Sequence, residues 1–116
     1  MAQKYIIGDI VMYKNRIHTI IDISKSNGYE LSYVRHPVSP VRLSGVPLTD
    51  GILEKNGWKK LYEKFFEKNV NNIRLTIEFS VNIYVAINRI FIMEIHYIHE
   101  LQHLLFGLGI NHKMEV

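Results

Sequence analysis

Ile73-Arg-Leu-Thr-Ile-Glu-Phe79 alternates apolar and polar residues without a break. Successive side chains of an extended chain point to opposite faces, so Ile73, Leu75, Ile77 and Phe79 share one face of a strand that is buried on that side only. Two further strands follow, Ile83–Ile87 and Ile90–Ile95, both rich in β-branched residues. On the other side lies a stretch with two readings. Trp58, Leu61, Tyr62, Phe65 and Phe66 recur at helical spacing, yet their aromatic density and the turn Asn69-Val-Asn-Asn72 suit one arm of a hairpin. On these residues alone both readings of 58–68 stay open.

The first third also reads as strands. Asp9-Ile-Val-Met-Tyr-Lys14 is a short apolar run, Asn15 supplies a turn, and Arg16–Ile23 is β-branched. Ser26-Asn27-Gly28 predicts a type I′ hairpin turn, with Tyr29–His36 as a third strand. Such a meander is expected to curve like a small SH3-like barrel. Pro37, Pro40, Pro47 and Gly45 mark an irregular connection with at most a short strand at Val41–Leu43. Thr49 is placed to cap a two-turn helix, with Asp50 in its first turn and Gly57 at its end. Only Ile52 and Leu53 are apolar there, so it reads as a lid or corner. The chain closes in an amphipathic helix from about Tyr97 to Leu108, stopped by Gly107 and Gly109. The expected fold is α+β: an N-terminal antiparallel meander, a short middle helix, a second antiparallel set of strands, and a C-terminal helix packed on the sheet.

Composition sets the bounds. A chain of 116 residues is expected to form a single domain, 1–116. With 47% hydrophobic and 22% charged residues, it has enough apolar matter to fold. The absence of cysteine excludes a disulfide scaffold, thiolate-bound zinc and a cysteine nucleophile. No signal-peptide run opens the chain, and Asn82, Asn88, Arg89 and Glu94 interrupt its longest apolar region. A cytoplasmic protein without a membrane partner is therefore expected. A net charge of +3 is too small to name a partner.

The closing helix carries the one catalytic-looking motif, His99-Glu100-Leu101-Gln102-His103. In zinc peptidases two histidines one turn apart grip the ion, and the glutamate between them activates its water. At about 100° per residue, with Tyr97 at 0°, the apolar stripe Ile98/Leu101/Leu104/Leu105/Leu108 centres near about 40°. His99 falls near about 200° and His103 near about 240°, opposite the face expected to be buried. No third ligand follows at the expected spacing, since positions 106 and 109 hold Phe and Gly, and the motif lies close to the C-terminus. His96 stands about 10 Å along the axis from His103, too far to share an ion with it. His112 or Glu115 would have to fold back. The reading is that there is no catalytic, cofactor or metal site. The alternative is a zinc-dependent hydrolase with ligands His99 and His103 and base Glu100.

A second alternative is a nucleic-acid-binding module, in which Lys14, Arg16, Arg35, His36 and Arg42 rim the N-terminal meander and Tyr13, Tyr29 and Tyr33 stack on bases. An ordinary solvated strand face is preferred to it. The mixed charges from Glu54 to Lys68 argue a solvated element, and there is no Gly-rich phosphate loop.

Three segments together carry a resemblance: Ile7-Gly-Asp-Ile-Val-Met-Tyr13, Val46-Pro-Leu-Thr-Asp-Gly-Ile-Leu-Glu-Lys-Asn-Gly-Trp58, and Ile95-His-Tyr-Ile-His-Glu-Leu-Gln-His-Leu-Leu-Phe106. The chain resembles a family of small uncharacterised proteins of gut anaerobes and of their phages and mobile elements. Members share an I-G-N/D-x-V opening, a P-L-T-x-x-x-L-x-x-x-G-F/W middle and a Y-V/I-H-E/Q-L-Q closing helix. The Glu100 and His103 positions accept Gln and Asn in relatives, so the resemblance implies that the zinc-peptidase likeness is a coincidence of this member. It implies no activity, and it implies strand for 58–68, since relatives carry variable hairpin-like sequence there. The expected function is that of a non-enzymatic accessory or interaction protein, phage- or mobile-element-associated, acting on an unknown protein partner or as a homodimer. Phe106, on the polar side of the helix, hints at such a contact.

Overall fold

The computed structural model describes residues 4–25 and 28–116. Among them are nine strands, one turn of 3₁₀ helix and two α-helices. The strands are β1 (Ile10–Tyr13), β2 (Arg16–Ile23), β3 (Tyr29–Leu31), β4 (Ser44–Gly45), β5 (Lys59–Tyr62), β6 (Phe65–Val70), β7 (Ile73–Phe79), β8 (Ile83–Ile87) and β9 (Ile90–Ile95). The helices are α1 (Asp50–Lys55) and α2 (Ile98–Gly107). The fold is α+β, with every strand pair antiparallel. None of the described helices is long and apolar enough to cross a membrane.

Contacts divide the chain into two compact units. The first comprises residues up to Pro47 together with Tyr97–Lys113, and the second comprises Leu48–His96 with Met114–Val116.

In the first unit, a four-stranded sheet of order β3-β2-β1-β4 carries α2 against β1. Lys14 (φ 48°) and Asn15 (φ 62°) form the two-residue turn between β1 and β2, which closes on the pair Tyr13–Arg16. Two successive positive φ angles are what a type I′ turn requires, and its twist matches that of the strands it joins. The turn expected at Ser26-Asn27-Gly28 lies, at 26 and 27, outside the described residues. The third strand is shorter than expected. It ends at Leu31 instead of His36, because Tyr33 (φ 63°) turns the chain, and Val38 returns to pair with Tyr29. The strand expected at Val41–Leu43 is instead a 3₁₀ turn over Pro40–Arg42, started by the fixed φ of Pro40, and the strand proper is Ser44–Gly45. Gly45 has a packing role: a Cβ there would come within 2.4 Å of the Tyr97 ring. Tyr5, Val11, Ile20, Leu31 and Val38 form the core beneath the sheet.

The second unit is a five-stranded meander, β5-β6-β7-β8-β9. Residues 59–70 form a hairpin rather than a helix, with Lys64 (φ 63°) in its connection. Two-residue turns with positive φ recur at Asn71–Asn72 and Asn88–Arg89. Register places Phe66 opposite Ile77 and Ile77 opposite Val85, a fully buried row across three strands. Thr49 caps α1 through its hydroxyl, which accepts the Ile52 amide at 3.3 Å, and Gly57 (φ 85°) ends the helix. The lid reading of α1 needs correction, since Leu53 is fully buried and anchors it.

Phe66 has no exposed surface and meets Phe79 edge-on at 5.8 Å between ring centres. Phe66→Ala is expected to cost about 3–5 kcal/mol, the usual range for emptying a buried aromatic site. Tyr62→Ala, at an exposed position, is expected to cost less than about 1 kcal/mol. Urea unfolding followed by circular dichroism measures both.

Candidate functional site

The helix motif sits in the first unit, and its orientation differs from the one the apolar stripe predicted. The buried residues of α2 are Ile98, His99, Leu101, Gln102 and Leu105, while Leu104 and Leu108 are half-buried. The buried face therefore centres near about 110°, rotated by about 70° from the expected stripe. Gln102 causes this rotation. Its side chain is fully buried. The amide oxygen accepts the Ile10 N–H at 2.8 Å, and the amide nitrogen donates to the carbonyls of Gly8 at 2.8 Å and His112 at 2.9 Å. A buried amide is tolerated when its hydrogen bonds are made, and here all three join main-chain groups far apart in sequence.

That rotation buries His99 and leaves His103 half-buried beside Asp9. His103 Nε2 lies 2.6 Å from Asp9 Oδ2, an oxygen that also accepts the Ile6 N–H at 2.9 Å. Asp9 itself is fully buried. His99 is 9% exposed and is packed among rings: Tyr97 stacked at 5.7 Å, Tyr5 edge-on at 5.1 Å and His103 edge-on at 5.7 Å. Its Nδ1 is enclosed without a hydrogen-bond partner, as are Asp9 Oδ1 and the Tyr5 hydroxyl. Burial pushes the His99 imidazole below its ordinary pKa, against the opposing pull of Asp9, with His103 and Lys4 adding to the depression. Burial likewise pushes the Tyr5 phenol up.

Glu100, the would-be base, turns back on its own helix, where Oε1 accepts the Tyr97 N–H at 2.9 Å. This is the return half of a capping box. A zinc site needs both imidazoles to turn a free nitrogen toward one ion, but His103 gives its Nε2 to Asp9. His112 does fold back, to the Ile7 carbonyl at 2.9 Å. Among the described residues no three His, Asp or Glu side chains are arranged to hold a metal ion.

The proposed basic rim loses its stacking surfaces. Tyr13 and Tyr29 are buried, and of the three tyrosines only Tyr33 stands in solvent.

A second site, which the sequence did not reveal, lies on the five-stranded sheet. Register puts Phe65 opposite Glu78, Glu78 opposite Tyr84, Thr76 opposite Ala86, and Ala86 opposite Phe91. Small Thr76 and Ala86 make a low floor between the rings of Phe65, Tyr84 and Phe91. The result is a shallow groove of about 170 Å³ with Glu78 and Arg89 also on its wall. Tyr62 extends the aromatic surface by stacking on Phe65 at 5.0 Å. These aromatics lie on four strands, and only the pairing shows that they share a face. Arg74 is neutralised by Glu67 on the neighbouring strand. The groove carries no run of positive charge of the kind a phosphate backbone needs.

No protein-family model matches the chain, and comparison with curated proteins and with solved structures gives no match either.

Two outcomes follow from the helix anchorage. Gln102→Leu leaves the Ile10 amide and the Gly8 and His112 carbonyls without partners, at about 1–3 kcal/mol for each group that water cannot reach. Urea midpoints are expected to show a loss of at least about 3 kcal/mol. For His99 the folded pKa lies below the unfolded one, so the unfolded chain takes up its proton first. Stability is therefore full above about pH 6.5 and falls as the pH drops through the unfolded pKa toward the folded one. His99→Phe, which keeps a ring in the same cluster, is expected to flatten the pH dependence of the urea midpoint between about pH 7 and 5.

Proposed function

We propose that this protein is a non-enzymatic interaction protein that works through the open aromatic face and outer edge of its five-stranded sheet. The observation that carries this reading is where the large apolar side chains stand exposed: Ile90 is 67% exposed, Phe91 60% and Ile92 45%, three in succession on one strand, beside the Phe65/Tyr84/Phe91 groove. Isolated exposed apolar residues are common, but a contiguous group rimmed by charge marks a contact surface. The helix motif supports the same reading from the other side. Glu100 caps, Gln102 braces and His103 pairs with Asp9, so these three side chains are already engaged within the fold. The resemblance to proteins of phages and mobile elements supplies the setting, with action in the cytoplasm and an SH3-like curvature of the first sheet as parts of the same proposal.

The test separates this reading from the zinc hydrolase. Protein purified without a histidine tag is analysed for metal content, then titrated with zinc while its melting temperature is followed. Sub-stoichiometric zinc and an unmoved melting temperature are expected, since a ligand of the native state alone raises stability by RT ln(1 + [L]/Kd). One tightly held zinc per chain, lost in a folded His103→Ala variant, overturns the reading.

A further inference from the structure

The two sheets have four edges, and three of them are unsuited to pairing. β3 and β4 are three and two residues long. β5 opens with Lys59-Lys60, and lysine on an edge strand is a device that discourages pairing. β9 differs: it has six residues, Ile90-Phe-Ile-Met-Glu-Ile95, with neither lysine nor proline. Among the described residues no strand pairs with its outer side. This edge, charged only at Glu94 and bulged at Ile92, still offers main-chain groups to another strand before Leu48 takes the His96 carbonyl just past its end.

The register of β9 on β8 indicates which strand. Ile87–Ile90 closes the two-residue turn, so it is a hydrogen-bonded pair, and the next pair, Ala86–Phe91, is not. The Phe91 N–H and C=O therefore point away from β8, toward the open edge. A bulge follows, with Val85 opposite Met93, so Ile92 is the extra residue. Glu94 stands opposite Tyr84, on the face that Phe91 and Arg89 share around the groove. Laid antiparallel against a copy of itself with Phe91 opposite Phe91, this strand counts Ile92 and Met93 as one position. Arg89, in the turn just before the strand and on the groove wall, then lies within side-chain reach of Glu94 of the second copy, and Glu94 of the other Arg89. Arg89 has no ion-pair partner among the described residues, and Glu94 has only a 3.6 Å approach to His96.

We infer that the partner of this surface is a second copy of the chain, joined two-fold through β9 with Phe91 on the axis and reciprocal Arg89–Glu94 pairs on either side. This deepens the interaction reading and rests on it. The contact is isologous, as closed dimers require, and it extends the five-stranded sheet to ten strands. An aromatic pair across the axis and opposite charges across the strands are the combinations that stabilise neighbouring strands.

Sedimentation velocity from about 1 to 300 µM measures the association, a range that spans weak to moderate self-affinity. A monomer–dimer equilibrium is expected in the untagged chain. Phe91→Lys sets two like charges opposite each other on the axis and is expected to weaken dimerisation at least about a hundredfold. At concentrations where both proteins are monomeric its melting curve should be little changed, since Phe91 is more than half exposed. Arg89→Glu and Glu94→Arg are each expected to weaken the dimer about tenfold, and the double variant to restore it, as reversing both ends of a charge pair does. A monomer across the whole range overturns the proposal. So does a dimer indifferent to Phe91→Lys, or a double variant no better than its parents. None of these results bears on the zinc measurement, which tests the interaction reading separately.

Discussion

A single buried amide sets the arrangement of the first unit. Gln102 holds the Ile10 amide, the Gly8 carbonyl and the His112 carbonyl at once, and each of these groups would otherwise be unpaired away from water. Because the three partners lie in β1, just before it and just after α2, the side chain fixes the rotation of the helix about its axis. Burial of Ile98, Leu101 and Leu105 contributes about 1.5–3 kcal/mol apiece, but leucine packing tolerates rotation in a way that a three-way hydrogen-bonded amide does not.

The histidines follow from that rotation. His103 meets Asp9, and His99 enters a cluster of rings whose polar edges are enclosed. The i, i+4 spacing that presents two imidazoles to zinc in a peptidase here places one against a carboxylate and the other among tyrosines. The spacing is a property of any helix, and what the imidazoles do depends on what the neighbouring segment offers them. Asp9, 94 residues away in sequence, takes Nε2 of His103.

In the second unit the constraint is the strand edge. Two tight turns with paired positive φ, at Asn71–Asn72 and Asn88–Arg89, help to hold the meander, which leaves β5 and β9 as its outer strands. One carries paired lysines and the other Ile-Phe-Ile. Stability of the sheet alone does not call for this asymmetry, since an exposed isoleucine or phenylalanine on an edge adds little to the unit's own core. It is intelligible as a difference in what the two edges meet.

The sequence by itself determined the element types. Period-two alternation located β7, β-branched content located β2, β8 and β9, asparagines marked turns with positive φ, and Thr49 and Gly57 bounded α1, because these signals act over a few residues and need no partner. It misplaced Tyr29–His36 and Val41–Leu43, where Tyr33 in a left-handed conformation and Pro40 at a 3₁₀ start overrode strand propensity. The motif's spelling was legible but its surroundings were not. Apolar periodicity assigns a buried face from hydrophobicity alone, while Gln102 and His99 are buried because groups distant in the chain satisfy or enclose them. The aromatic groove on β6 to β9 was equally invisible. Which side chains share a face depends on register, and register is settled by pairing across strands, which only the tertiary structure decides.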